Sequence, residues 1–450
     1  MTQSFPWYKS YPAGVPHEIN PDRYPSIPAV LDDIAARYPD NVGYTNMDCG
    51  LTYSRTAALT KELAAYLQSL GLKPGDRVAI MMPNLLQYVI AMYACLRAGY
   101  IVVNINPLYT SREVNGTLRD SEAKAIIIIE NFAKTLQNAL PGTKCEHIIT
   151  TAVGDLFPFF KRTLVNFVVR KVKKMVPEYS LPNAVGFNEA LEIGRRHGFT
   201  AHEIHNTDIA FLQYTGGTTG VAKGAILTHR NLLANLQQVG YWLASACKEG
   251  EEVALTALPL YHIFSLTATL SFTQFAANMV LITNPRDIDG LAKECAKWDF
   301  SIIVGVNTLF TAMLNNKIFC ATSSRASRSP RAAAPRCSAP SPNAGSNRRA
   351  ATSSRPTVSR NARPASAATS PRLRGTARWA CPSRRPKYPS AAKASATSAV
   401  ARRPTRFPNT QARPACAARR SCRATGTSPR RRPPFFATAG CARATWATWT

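Results

Sequence analysis

The chain has 450 residues and a formal net charge of +29, and its length allows two or three domains with a large core. The charge is uneven, because residues 320–450 contain 27 Lys and Arg and neither Asp nor Glu, which leaves 28 basic and 26 acidic residues before them. The first 319 residues therefore have the composition of a near-neutral globular protein, and no specific nucleic-acid partner is expected for them.

Cysteine spacing and the N-terminal residues indicate the compartment. The cysteines before residue 320 are scattered, and no Cys-x-x-Cys pair occurs, which fits a reducing cytosol better than a disulfide framework. Residues 1–20 lack the apolar core of a signal peptide. No run approaches the roughly 18 apolar residues that a membrane-spanning helix needs. The sequence predicts a cytoplasmic chain.

Helical and strand-like segments alternate through the first part of the chain. After an aromatic and proline-rich lead-in at residues 1–25, helical spacing of apolar residues predicts helices at 27–35, 52–70 and 85–97 and a short helix after Ser111. Continuous apolar runs predict buried strands at 77–82, 100–105, 125–129, 209–212, 253–258, 279–283 and 301–304. This alternation predicts an α/β fold with parallel sheets flanked by helices.

Residues 156–176 differ in character from the rest. Apolar side chains fall on one helical face, namely Phe160, Leu164, Phe167, Val168, Val172 and Met175. Basic side chains lie beside them, namely Lys161, Arg162, Arg170, Lys171, Lys173 and Lys174. A basic amphipathic helix of this kind can lie in the interface of an anionic bilayer. The alternative is a helix packed on its own domain with a solvated basic face, and the sequence leaves both open.

A loop rich in glycine and threonine follows the predicted strand at 209–212. Residues 214–224 read Tyr-Thr-Gly-Gly-Thr-Thr-Gly-Val-Ala-Lys-Gly, and a helical pattern opens at Thr228. Backbone N–H groups, hydroxyls and a lysine between a strand and a helix can wrap a polyphosphate. The spacing is not that of the common nucleotide loop, which needs Gly-x-x-x-x-Gly-Lys-Ser/Thr.

This motif resembles the phosphate loop of the acyl-adenylate-forming (AMP-binding) enzymes, and within them most closely that of the bacterial long-chain fatty-acid–CoA ligases. Three further segments, at residues 76–78, 82–84 and 99–107, stand where that family carries its early motifs. The resemblance covers residues 3–319. It implies the large N-terminal domain of these enzymes, incomplete, over residues 26–319.

The resemblance also implies an activity and its cofactors. A fatty-acid carboxylate attacks the α-phosphorus of ATP in the presence of Mg²⁺, giving an acyl-adenylate, and the thiol of coenzyme A then displaces AMP. On the matching positions, Lys223 and the N–H groups of Gly216, Gly217 and Gly220 would hold the β- and γ-phosphates. Thr215 would help to place Mg²⁺, while Thr218 and Thr219 would donate hydroxyl hydrogen bonds.

A histidine in an apolar context provides a second candidate catalytic residue beside Lys223. Residues 259–264 read Pro-Leu-Tyr-His-Ile-Phe after a predicted strand, and the family has an aromatic–His pair at this place. With an ordinary pKa near 6.5 and two ring nitrogens, His262 could hydrogen-bond the substrate carboxylate. A lone histidine in apolar sequence is more often structural, but the matching context favours a site role.

Residues 320–450 cannot form a core. Their only aliphatic residues beyond alanine are Val358, Leu373 and Val400. Ordering a residue costs roughly 1–2 kcal/mol of backbone entropy, which so few apolar side chains cannot offset at about 25 cal/mol per Å². The sequence predicts a disordered basic tail. The tail is either a genuine arginine-rich segment that binds nucleic acid or acidic lipid, or the product of a GC-rich gene that is translated out of frame in this region.

The genetic code distinguishes these two possibilities. The shifted frame across residues 356–361 permits Tyr-Gly-Leu-Ser-Glu, the next nucleotide-binding motif of the resembling family. Across residues 442–450 it permits Thr-Gly-Asp-x-Gly-x-x-Asp, similar to that family's ribose-binding motif. Two positions are forced, because Trp446 before Ala447 must give glycine and Trp449 before Thr450 must give aspartate. Both agree, which favours a frameshift near residues 317–320.

Three functions therefore follow from the sequence, in order of preference. The first is a long-chain fatty-acid–CoA ligase whose chain, as written, lacks the family's later motifs and is inactive. The second is an adenylating ligase for another carboxylic acid. The third is a non-catalytic protein that binds nucleic acid or membrane through its basic tail.

Overall fold

Two mixed sheets organise the residues that the structure, a computed structural model, describes: 5–215, 222–326 and two paired two-residue strands, Arg336–Cys337 and Arg378–Trp379. The remaining strands in chain order are β1 (Val42–Asn46), β2 (Cys49–Thr52), β3 (Arg77–Met81), β4 (Ile101–Asn104), β5 (Ala125–Ile129), β6 (His147–Thr151), β7 (Ala184–Gly186), β8 (Ile209–Thr215), β9 (Lys223–Thr228), β10 (Val253–Thr256), β11 (Asn278–Leu281) and β12 (Ile302–Val304). All of these residues lie in one unit, Met1–Ser383.

Twelve α-helices accompany these strands in the described part of the chain. They are α1 (Ile27–Arg37), α2 (Tyr53–Ser69), α3 (Leu86–Arg97), α4 (Ser111–Ser121), α5 (Ala133–Ala139), α6 (Phe159–Phe167), α7 (Phe187–His197), α8 (His229–Leu243), α9 (Ile263–Thr273), α10 (Ile288–Lys297), α11 (Asn307–Leu314) and α12 (Lys317–Ala326). Short 3₁₀ turns occur at Pro6–Ser10 and Glu130–Phe132, and a π turn at Val168–Val172 extends α6. None of these helices is long and apolar enough to span a bilayer.

The first sheet has seven strands in the order β7-β6-β5-β3-β4-β8-β9. All neighbours run parallel except β8 and β9, which are antiparallel. The residues of β5 are buried throughout, as expected for a parallel strand covered on both faces. The α/β class with helix-flanked parallel sheets is confirmed, and the strand predicted at 125–129 coincides with β5.

The second sheet has five strands in the order β12-β10-β11-β1-β2, and only β2 is antiparallel to its neighbour. Helix α3 packs against β3 and β4 of the first sheet and β1 of the second. Every residue of α3 is buried, including Arg97, because a helix between two sheets has no face left for solvent. The Arg97 guanidinium is neutralised by Asp32, with both N–O distances at 2.7 Å.

Several boundaries differ from the sequence-based prediction. The hairpin β1–β2 was missed because its turn residues, Met47 and Asp48, lack the usual glycine although both adopt positive φ (47° and 60°). In the 156–176 segment the helix begins at Phe159, since Phe157 is buried in the core. Helix α12 runs through the domain boundary predicted at residue 319. Most of the predicted tail lies outside the described residues.

Candidate functional site

The predicted phosphate loop connects two antiparallel strands. In the β8–β9 ladder, Thr215 pairs with Lys223, so residues 216–221 form the connection of a hairpin. The predicted phosphate-binding residues Gly216, Gly217, Thr218, Thr219 and Gly220 lie outside the described residues, and so does the side chain of Thr215, the predicted Mg²⁺ ligand. The helical pattern predicted to open at Thr228 is confirmed as α8, but the loop does not lie immediately between a strand and this helix. Strand β9 intervenes, and α8 begins only after Thr228, whose side chain caps it together with Asn231.

Lys223 stands at the start of β9 with its side chain exposed. Among the described residues it has neither an ion pair nor a side-chain hydrogen bond. The next residue, Gly224, lies against the ring of Tyr214, and a Cβ added there would be 3.1 Å from the Tyr214 Cζ. The Tyr214 hydroxyl donates to Asp120 over 2.6 Å. Burial, followed by this hydrogen bond, raises the pKa of Tyr214. The Lys223 ammonium group is thus exposed to solvent, while the contact between Gly224 and the Tyr214 ring holds the start of β9 in place.

The turn at residues 259–262 is held by Asn84. The Asn84 Nδ2 donates to the carbonyl oxygens of Thr256 (3.1 Å) and Leu258 (2.8 Å). Its Oδ1 accepts from the Leu260 N–H at 2.8 Å. Asn84 is buried, and it therefore satisfies main-chain groups that would otherwise be desolvated without partners.

Three further buried side chains extend this network to the first sheet. The Tyr88 hydroxyl lies 2.9 Å from the Leu260 carbonyl oxygen and 2.8 Å from the Asn104 Oδ1. The Asn104 Nδ2 donates to the Gln213 Oε1 over 3.1 Å. The Gln213 Nε2 in turn donates to the Tyr261 carbonyl oxygen over 2.9 Å. The turn that carries His262 is consequently fixed beside the ends of β4 and β8, at the same edge of the sheet as Thr215 and Lys223.

His262 forms the N-terminal cap of α9. Its Nδ1 accepts a hydrogen bond from the Phe264 N–H at 3.3 Å, so the neutral ring carries its proton on Nε2. The residue is exposed at the surface, yet the protein atoms around the ring lower its pKa from the ordinary 6.5 through desolvation. At neutral pH His262 is therefore a hydrogen-bond donor through Nε2, a role suited to a carboxylate acceptor.

The sequence-based prediction did not find the buried network. Asn84 and Asn104 belong to segments that were noted as matches to early motifs of the family, with no role assigned to either side chain. Gln213 follows Ile209-Ala210-Phe211-Leu212, and a polar residue inside an otherwise apolar strand was the signal that could have identified it. Two surface clefts, of about 470 and 640 Å³, lie elsewhere, and neither is lined by Lys223, Tyr261 or His262.

Comparison with known families decides the assignment of this domain. The family model described as AMP-binding enzyme matches residues 31–368, more than half of the chain. The chain belongs to the AMP-binding enzyme family. The resemblance of residues 214–224 and 259–264 to the motifs of this family is therefore confirmed at the level of the family.

Curated relatives of this AMP-binding enzyme are similar over a shorter stretch. The long-chain-fatty-acid–CoA ligase of Escherichia coli O157:H7 is 54% identical over 315 residues, which is 70% of this chain and 56% of that protein. The ligases of Haemophilus influenzae and Bacillus subtilis are 49% and 34% identical over 318 residues, with the same coverage. The chain thus spans 56% of the length of the curated relatives it matches.

Solved structures share the fold. A long-chain-fatty-acid–CoA ligase from Archaeoglobus fulgidus superposes with a TM-score of 0.55 at 22% identity, over 68% of this chain and 56% of that chain. An anthranilate CoA ligase in complex with anthranoyl-AMP superposes with a TM-score of 0.56 at 19% identity, over 67% and 54%. The two-sheet architecture of the described residues is therefore that of known CoA ligases.

Proposed function

We propose that this AMP-binding enzyme derives from a long-chain fatty-acid–CoA ligase that activates its substrate with ATP and transfers the acyl group to coenzyme A. The observation that carries the proposal is the placement of Lys223 and the His262 turn at one edge of the first sheet, with Lys223 exposed and without an ion pair among the described residues. The names of relatives that are 49–54% identical support a long-chain fatty acid as the substrate.

A triphosphate nucleotide would bind at the loop between β8 and β9. Lys223, exposed and without an ion pair among the described residues, would supply a cation there. Gly216, Gly217 and Gly220 would provide N–H donors, and Thr218 and Thr219 would provide hydroxyls. Backbone donors and one lysine suit the charge that spreads over phosphate oxygens during displacement at phosphorus. Thr215 would help to hold Mg²⁺, which when bound neutralises phosphate charge.

The fatty acid carboxylate would lie against His262. A neutral imidazole that donates from Nε2 orients a carboxylate and leaves its negative charge available for attack. A protonated ring would neutralise more of that charge. The buried hydrogen-bond network from Asn84 to Gln213 keeps the turn in place, so the His262 ring would already be oriented before the substrate binds. Coenzyme A then supplies the thiol that displaces AMP.

We also propose that the polypeptide as written is inactive. The Tyr-Gly-x-Ser/Thr-Glu motif and the ribose-binding aspartate motif of the family do not occur as amino acids in residues 320–450. In this proposal residues 1–25 are a lead-in, 26–319 are the truncated large domain, and 320–450 are translated out of frame. The parent enzyme would be cytoplasmic and peripheral at the inner face of the membrane.

ATP–pyrophosphate exchange with palmitate tests both statements. The chain as written should give no exchange, whereas a gene with the frame restored between codons 317 and 320 should give palmitate-dependent exchange and palmitoyl-CoA. Exchange by the chain as written would overturn the proposed inactivity. A folded, frame-restored protein that exchanges only with aryl or amino acids would overturn the assignment of the substrate.

A further inference from the structure

Helix α6 and the π turn after it present their apolar side chains to solvent. Six of the twelve exposed large hydrophobic side chains among the described residues lie in this short stretch, namely Phe159, Phe160, Leu164, Phe167, Val172 and Met175. Phe160 is 86% exposed, and α6 contains no buried residue. The apolar side chains therefore form a continuous outward surface, which we call the α6 face. These six side chains lie at the surface, whereas Val165 of the same helix packs partly against the core.

Polar contacts hold this segment on the domain. The Arg170 guanidinium donates twice to the Glu130 carboxylate, at 2.9 and 2.7 Å, and Glu130 is 4% exposed. The Asn166 side chain accepts from the Gly154 N–H at 2.8 Å and donates to Asp155 at 3.2 Å. The polarity is inverted relative to an ordinary surface helix, whose apolar side faces the core. Turning the α6 face inward would break the pair between Arg170 and the buried Glu130, so the exposed state is fixed by contacts.

The positive charge around the α6 face limits the kinds of partner that it can bind. Residues 156–177 contain six basic residues and no acidic one, and Lys171, Lys173 and Lys174 are exposed beside the apolar side chains. A second copy of the chain would bring the same cations face to face, which costs free energy. An anionic bilayer offers both an apolar interior and negative head groups, the combination that a cationic amphipathic helix requires.

We propose that the α6 face docks on an anionic lipid bilayer, with Phe159, Phe160 and Leu164 entering the acyl boundary and the three lysines contacting head groups. The inference deepens the proposed function, because long-chain fatty acids partition into bilayers and an enzyme docked there receives its substrate from the membrane. Docking of the α6 face on a bilayer can be measured without turnover.

Vesicle co-sedimentation of the full chain tests the apolar part of the α6 face. The probes are phosphatidylcholine vesicles with and without 30% phosphatidylglycerol. The double variant Phe160→Ser, Leu164→Ser should bind anionic vesicles about tenfold more weakly. The matched control Trp7→Ser, Leu108→Ser, which removes exposed apolar side chains elsewhere, should bind like the parent. Residues 320–450 are the same in every variant, so any binding through them is constant.

A matched pair of triple variants tests the lysines beside the α6 face. Replacing Lys171, Lys173 and Lys174 with Ala should weaken binding at least tenfold and reduce its salt dependence, since each lysine near an anionic surface contributes about 1 kcal/mol. Replacing the exposed Lys61, Lys248 and Lys293 with Ala removes the same charge and should change binding little. Equal loss in both triple variants would mean that net charge alone drives binding, and would overturn the proposal.

Insertion depth provides a direct readout. A Phe160→Trp variant should gain tryptophan fluorescence that brominated lipids quench, whereas a Leu108→Trp variant should not. Absence of quenching at Phe160 would overturn docking through this face. Loss of vesicle binding in the frame-restored protein would indicate that the remainder of that chain covers the α6 face, and would also overturn the proposal. Neither result depends on whether palmitate is the substrate, which the exchange assay decides.

Discussion

The side-chain amide of Gln213 donates a hydrogen bond to the carbonyl oxygen of Tyr261, 2.9 Å away, and so links β8 to the turn that carries His262. Gln213 lies within β8 of the first sheet, whereas Tyr261, 48 positions later, lies in the connection that follows β10 of the second sheet. Gln213 is also the acceptor for Asn104. Its amide group thus uses one acceptor and one donor to fix the distance between the edge of the first sheet and the candidate substrate-binding turn.

Gln213→Ala should loosen this turn. Both Asn104 and the Tyr261 carbonyl would lose a buried partner, and we expect the free energy of unfolding to fall by about 1–3 kcal/mol. Hydrogen exchange should accelerate at the amides of residues 260–264 while β3 stays protected. Gln274→Ala is the control, because Gln274 makes a similar bond to the Leu236 carbonyl oxygen at 2.7 Å, away from the turn. Equal acceleration in both variants would contradict the coupling.

Two glycines should respond to alanine with opposite signs. Gly224→Ala would place a Cβ 3.1 Å from the Tyr214 ring, and this overpacking should lower the free energy of unfolding by about 1 kcal/mol or more. Gly116→Ala, within α4, meets nothing within 4 Å and should raise it by roughly 0.5–1 kcal/mol. Denaturant unfolding of the two variants measures both values. A stabilising Gly224→Ala would show that the Tyr214 ring moves aside freely.

The buried His229 predicts a loss of stability in acid. Burial lowers its pKa from 6.5 to about 4, and its Nδ1 accepts from the Ile27 N–H. Between these two pH values the unfolded state binds a proton that the folded state does not. Stability is therefore complete above pH 6.5 and falls by roughly 3 kcal/mol as the pH approaches 4.

His229→Asn retains an acceptor near Nδ1 and should flatten this dependence, as measured by urea unfolding at a series of pH values. His262→Asn removes the other histidine with a lowered pKa and, because that ring is partly accessible, should flatten it less. An unchanged slope in His229→Asn would assign the acid sensitivity to carboxylates.

Lys223→Ala separates binding from folding. Because Lys223 has no partner among the described residues, its removal should leave the melting temperature unchanged. In the frame-restored enzyme, loss of this phosphate-binding cation should lower ATP–pyrophosphate exchange by about 10²–10³-fold. Lys248→Ala, at an exposed lysine paired with Glu251, should retain exchange. A Lys223→Ala enzyme with full activity would remove Lys223 from the site.

Periodicity found the elements that are governed by local sequence. The apolar run at 125–129 became β5, and Thr52, which caps α2 through the Arg55 N–H, lies at the predicted start of that helix. Strand β9 could not be found in this way, since its exposed side chains include Ile226 and show no alternation. Lys223 and His262 were predicted from family motifs. The attachment of the His262 turn to β8 depends instead on Gln213 and Asn104, whose tertiary hydrogen bonds no local pattern encodes.

The second sheet places an early hairpin beside late strands. In register, Tyr44 of β1 pairs with Met279 of β11, so β1 and β2 leave the ribosome long before their neighbour is made. At about 5–20 residues per second, the delay is roughly 10–50 s. Throughout that interval the nascent chain exposes Tyr44 and Tyr53, which are completely buried in the finished domain. The first sheet, whose last strand ends at Thr228, can therefore be completed during synthesis before the second sheet has its later strands.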